Sequence, residues 1–84
     1  MSRLTDRPLE AVGPLMRPSG APAFFVWRGE RFVVRDLLDI WTDAGSWWDG
    51  EGEATFFRLT VDEGTVVELM LDGCGIWRLY RIYD

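Results

Sequence analysis

At 84 residues and a net charge of −5, the chain has room for one domain and is poorly suited to general nucleic-acid binding, which rests on phosphate neutralisation. With no histidine and one cysteine, Cys74, it can build no Ser-His or Cys-His nucleophile, no His-bearing or thiolate metal centre and no intrachain disulfide. Five Trp, five Phe and two Tyr are more rings than so small a domain is expected to cover, so some should mark a partner or oligomer surface.

Residues 1–22 contain Pro8, Pro14, Pro18 and Pro22 together with Gly13 and Gly20. Proline at this density removes backbone donors and disfavours helix at each preceding residue, which predicts an extended, mobile tail. Its apolar residues Leu9, Val12, Leu15 and Met16 could dock on the domain or on a partner.

Residues 23–35 give a hairpin signal. Gly29-Glu30 suits a two-residue type II′ turn, pairing Arg28 with Arg31, Trp27 with Phe32, Val26 with Val33 and Phe25 with Val34. Phe25, Trp27, Phe32 and Val34 then face the core. Phe24, Val26, Val33, Arg28, Arg31 and Arg35 face the other way. Arginines set opposite each other need a compensating anion, which the acidic second half of the chain can supply.

Over residues 36–44, Leu37, Ile40, Trp41 and Ala44 follow helical spacing, Asp36 can cap the start and Gly45 can end it. A short helix is predicted there, plugging an open side of the sheet. Trp47 and Trp48 follow. Adjacent residues of an extended segment face opposite ways, so one should close the core and the other should be exposed. Asp49, Glu51 and Glu53 alternate with glycines in what reads as a solvated acidic loop; they lack the spacing of a calcium loop.

Residues 54–83 organise the fold. Three runs rich in β-branched and aromatic residues are broken by Asp62-Glu63-Gly64 and by Asp72-Gly73-Cys74-Gly75, the pattern of an antiparallel meander. A three-residue first loop with Gly64 left-handed sets Arg58 opposite Glu68 and Leu59 opposite Val67. An odd-length second loop then puts Arg78 on the other flank of Glu68. The resulting Arg58–Glu68–Arg78 row lies on one face, with Phe57, Leu59, Val67, Leu69, Trp77 and Leu79 on the other.

These elements predict a mainly β (α+β) domain of order ββαβββ over residues 23–84, curling into a small open barrel that limits unpaired edges. Glu68, the one acid placed mid-strand, is accounted for by its Arg neighbours. The glycines match neither a Walker loop nor a dinucleotide fingerprint. No catalysis, cofactor or metal is therefore expected. The single cysteine, the lack of an apolar run of roughly 18 residues and the absence of a signal-like start lead us to expect a cytoplasmic protein with no membrane partner.

Two binding readings survive. Trp41, Trp47 and Trp48 suggest a protein-binding or self-association surface. Alternatively, Phe24, Arg28, Arg31 and Arg35 combine stacking with positive charge, which suits single-stranded nucleic acid. The hairpin Phe25-Val26-Trp27-Arg28-Gly29-Glu30-Arg31-Phe32, the Ala44-Gly45-Ser46-Trp47-Trp48 centre and the ending Trp77-Arg78-Leu79-Tyr80-Arg81-Ile82-Tyr83-Asp84 together resemble a small bacterial domain of unknown function. Relatives of that domain occur near the Y-family-polymerase-like adaptor of the damage-induced error-prone polymerase cassette. The resemblance implies a non-enzymatic accessory module in DNA repair or mutagenesis, with a repair-polymerase complex as partner, and carries no active residues. The second half of this chain is more acidic than the resemblance leads one to expect, which favours a protein partner over direct DNA contact.

Overall fold

The computed structural model describes residues 2–4, 8–44, 53–62 and 64–83. Seven strands are present among these residues: β1 (Ser2–Leu4), β2 (Ala11–Val12), β3 (Phe24–Trp27), β4 (Glu30–Ala44), β5 (Glu53–Val61), β6 (Thr65–Leu71) and β7 (Trp77–Tyr83). They form one antiparallel sheet in the order β1-β7-β6-β5-β4-β3-β2. The two ends of this order are consecutive in sequence. β1 pairs with the end of β7, Pro8 bridges Arg78, and the Leu9 N–H donates to the Trp77 carbonyl at 2.9 Å. One residue later the Glu10 N–H donates to Val26 of β3 at 2.8 Å. The N-terminal segment therefore stitches one edge of the sheet to the other and curls it into a small, partly closed barrel.

This corrects the expectation of a free tail for the described part of residues 1–22. Ala21 and Pro22 are fully buried, Leu9 packs against the core, and Gly13 donates to the Phe24 carbonyl at 2.8 Å. The described part of the proline-rich segment is extended apart from a turn at residues 17–19, across which Met16 and Ala21 are hydrogen-bonded at 2.7 Å. Its stretches on either side of Leu9 find hydrogen-bond partners on β7 and β3 because they run along edges that would otherwise lack them, and residues 14–23 bond among themselves.

The expected helix over residues 36–44 is absent; these residues are the second half of β4, so the order ββαβββ does not hold. The reason lies in two β-bulges. Val34 pairs with Val61 and Asp36 with Thr60, which leaves Arg35 extra; Leu37 pairs with Leu59 and Asp39 with Arg58, which leaves Leu38 extra. Each extra residue lengthens the strand repeat from two to three. Val34, Leu37 and Ile40 thus share the face of Val61, Leu59 and Phe57, and a spacing of three reads in sequence as helical. The bulges also bend β4, so that residues 30–33 pair with β3 and residues 34–44 with β5 and, among the described residues, with no other strand.

The first hairpin turns one residue earlier than expected. Phe25 pairs with Phe32, Val26 with Arg31 and Trp27 with Glu30, leaving Arg28-Gly29 as the turn. Both have positive φ, 55° and 78°, the type I′ geometry that matches strand twist. Moving the turn by one residue changes every partner but preserves the faces. Phe25 and Val34 are still buried with Trp27 and Phe32 against them, and the opposed Arg28–Arg31 pair is avoided.

In the meander, Arg58 pairs with Glu68 and Leu59 with Val67, and Gly64 has φ 111°, as expected. The second loop is odd-length but longer than the expected register needs, with Leu71 opposite Trp77. A bulge then skips Tyr80, so Arg81 rather than Arg78 flanks Glu68. Without it Arg81 would share the inward face of Trp77 and Leu79. The bulge sends Ile82 inward and Arg81 outward. The main core comprises Phe25, Val34, Phe57, Leu59, Val61, Val67, Leu69, Leu79 and Ile82 with Ala21.

The seam formed by the N-terminal segment depends on Gly13, where an added Cβ would lie 2.4 Å from the Phe24 ring. Gly13→Ala should lower stability by about 1–3 kcal/mol through overpacking, read as a fall in the urea midpoint. A Phe24→Leu change in the same chain should recover part of that loss.

Candidate functional site

The bend in β4 leaves its second half with a strand on one side and, among the described residues, none on the other. Backbone groups alternate sides along an antiparallel strand. The Ile40 N–H is bonded by its neighbour's carboxylate, Asp39 Oδ1, at 2.8 Å, and does not join the β5 ladder. Alternation from there through the regular register of residues 40–44 aims the N–H and C=O of Ile40, Thr42 and Ala44 away from β5. This edge is also apolar in part: Leu37, Leu38 and Ile40 are 37%, 51% and 43% exposed. Leu37 and Ile40 face the same way as the core, so the barrel interior opens along this edge.

The outer face of the same strand has a different chemistry. Asp39, Trp41 and Asp43 stand opposite Arg58, Phe56 and Ala54. Trp41 stacks on Phe56 with centroids 5.4 Å apart and planes within 6°. Phe56, Met70 and Ala54 form a second buried cluster, against which Trp41 and Tyr80 pack. The Arg58 guanidinium lies 5.3 Å from the centre of the Trp41 ring. Its Nε donates to Glu68 Oε2 at 3.0 Å, and the Tyr83 hydroxyl donates to the same oxygen at 2.6 Å. Arg81 Nη1 in turn donates to the Tyr83 oxygen at 3.2 Å. Glu68 is almost completely buried, so these donors satisfy a carboxylate that would otherwise be costly to place there. The hydrogen bond to Glu68 pushes the Arg58 pKa up, and that to Tyr83 does the same for Arg81, keeping both charged.

The residues expected at a nucleic-acid face are less available than the sequence suggests. The Arg31 guanidinium covers the Phe24 ring at 4.4 Å, and the Gly13 backbone runs against the same ring. Arg28 lies 5.4 Å from the centre of its neighbour Trp27 in the exposed turn. The Arg35 Nε donates to the Asp62 carbonyl at 3.3 Å. Of the residues expected to bind protein, Trp41 is half-buried, while Trp47 and Trp48 lie outside the described residues. Leu37, Leu38, Ile40, Asp39 and Asp43 were not expected as site residues from the sequence. The available signal was the β-prone run Ile40-Trp41-Thr42, which helical spacing masked. Among the described residues, no three Cys, Asp or Glu side chains converge on a metal position. Among the described residues, no helix is long and apolar enough to cross a membrane.

The sequence matches the family model described as domain of unknown function DUF6504 over residues 2–84, and the chain belongs to that family. No curated protein and no solved structure matches it.

The Glu68 cluster makes a stability prediction. Tyr83→Phe should cost about 1–2 kcal/mol, and Glu68→Ala somewhat more because it leaves two donors without their acceptor. The two losses should not add in a double-mutant cycle, since both remove the same bond. Urea midpoints of the two single variants and the double variant check this.

Proposed function

Starting from membership of this family, we propose that the chain is a non-enzymatic adaptor module that recruits a protein partner through the open edge of β4. The supporting observation is the coincidence, on one strand, of backbone groups that no other strand pairs among the described residues with the exposed side chains of Leu37, Leu38 and Ile40. Native proteins cover or shorten such edges, because an open apolar edge is a template for another chain. The reading moves the contact from the Trp pair to the strand that carries Trp41. The ring of Trp41 forms part of the site's outer wall rather than a free anchor.

Single-stranded nucleic acid is the weaker reading. Base stacking needs an uncovered ring, and Phe24 is held between Arg31 and Gly13. Asp36, Asp39 and Asp43 line the open edge and would repel phosphate. A DNA repair or mutagenesis assembly, the setting the family resemblance implies, fits a module that acts by contact rather than by chemistry. The exposed free thiol of Cys74 suits the reducing cytoplasm.

A photo-reactive residue placed at Leu38 and, separately, at the exposed Val33 tests the surface. In nuclease-treated lysate of the source cells, discrete protein adducts should form at Leu38 and not at Val33. Adducts confined to Val33, or abolished by nuclease, would overturn the reading.

A further inference from the structure

We propose that the partner segment docked on β4 is an extended strand in which Arg or Lys alternates with apolar residues, added edge-on beside residues 37–44. This inference rests on the reading of β4 as a docking edge and names the chemistry of its occupant.

The two faces of the edge dictate the alternation. A strand laid beside β4 bonds to the N–H and C=O groups of Ile40, Thr42 and Ala44, over the stretch where the β4 register runs without a bulge. Its side chains then alternate between the two faces of β4. On the inner face they meet Leu37 and Ile40, beside the apolar row of Leu59 and Phe57. On the outer face they meet Asp39, Trp41 and Asp43 in succession. Two carboxylates flanking an indole favour a guanidinium, which can fork to the acid and lie against the ring edge. Arg58, opposite Asp39, already places its guanidinium over Trp41 from the β5 side, while its Nε donates to Glu68. The incoming strand supplies the same group from the open side.

Asp39 adds a device for exchange. In the free chain its carboxylate satisfies the Ile40 N–H at 2.8 Å, so the edge donor is not left bare. An added strand supplies a carbonyl to that N–H and releases the carboxylate to a basic side chain.

Charge disfavours a second copy as the occupant. Two β4 edges paired antiparallel bring Asp36, Asp39 and Asp43 against the same three residues. The register that sets Arg35 opposite Asp43 leaves Asp39 directly opposite its twin. Like charges in that position destabilise a pair.

The test uses the full chain and labelled synthetic peptides of about ten residues, a length that spans an average strand with margin. One alternates Arg with Val, one alternates Glu with Val, and one has the Arg–Val composition arranged in two blocks. By fluorescence anisotropy near physiological salt, the alternating Arg–Val peptide should bind at least about tenfold more tightly than either control. Thr42→Pro removes an edge N–H that β5 does not use and should abolish most of that binding while circular dichroism is unchanged. Asp43→Lys, at an exposed position, should shift preference towards the Glu–Val peptide and carries the test should the proline variant not fold. Equal binding of the block peptide, or binding indifferent to both substitutions, would overturn the proposal. So would a dimer in sedimentation that Thr42→Pro dissolves, because the edge would then hold a second copy. Protein adducts at photo-reactive Leu38 without binding of the alternating peptide would sink the partner chemistry and leave the adaptor reading standing. Failure of both would remove both.

Discussion

Two residues that the ladder does not use, Arg35 and Leu38, control the architecture. Each is an extra residue in β4, and together they turn a long strand through a corner within a few positions. Residues 30–33 of β4 pair with β3, and residues 34–44 pair with β5 and, among the described residues, with no other strand. A straight strand of this length would either demand a longer β3 or leave a flat edge beside it. The corner lets a short hairpin and a longer meander wrap one core, and it leaves the later part of β4 with, among the described residues, a strand on one side only. The fold and the candidate site therefore have the same cause.

The outer face shows how a barrel this small avoids depending on its interior alone. The core between the sheet halves is supplemented by a second buried cluster on the convex side, where Phe56 is held between Trp41 and Tyr80. Beside it the buried Glu68 ties β5 to β7 through Arg58 and Tyr83. A carboxylate in such a place specifies register, because a slip by one residue would strand it without donors. The Tyr80 bulge brings Arg81 and Tyr83 to that carboxylate, so the irregularity in β7 serves the polar network as those in β4 serve the corner.

What the sequence made legible follows from these irregularities. The β5–β6 hairpin was readable to the residue, because Gly64 fixed the turn and Arg58 opposite Glu68 fixed the register. The inward faces of both hairpins were readable, since moving a turn by one residue preserves the parity that assigns side chains to faces. The bulges were not recognised. A strand with two extra residues in close succession shows a spacing of three, and Leu37, Ile40 and Trp41 then imitate a helical stripe. The Arg78-Leu79-Tyr80-Arg81-Ile82 run does carry a hint, because alternation cannot keep both arginines outward and both aliphatic residues inward without an insertion. The site was obscured for the same reason: an edge cannot be noticed on a segment taken for a helix. Proline density pointed to extended backbone for the N-terminal segment, which the described residues show apart from a turn at 17–19, but could not show that two sheet edges awaited it.

The three aspartates on β4 bear on selectivity in two ways. An open edge with apolar neighbours pairs readily with any available strand, including its own copy, and bulges and charges are the usual protection. Asp36, Asp39 and Asp43 discourage self-pairing because identical edges oppose like charges. The same carboxylates reward a strand of the opposite charge, so protection against the wrong partner and recognition of the right one are a single electrostatic property. Binding through such an edge draws its affinity mainly from backbone bonds, which any extended chain can offer. In the proposed docking, discrimination must then come from side chains, and the acids around Trp41 on the outer face and the apolar residues at the open interior would supply it in alternation.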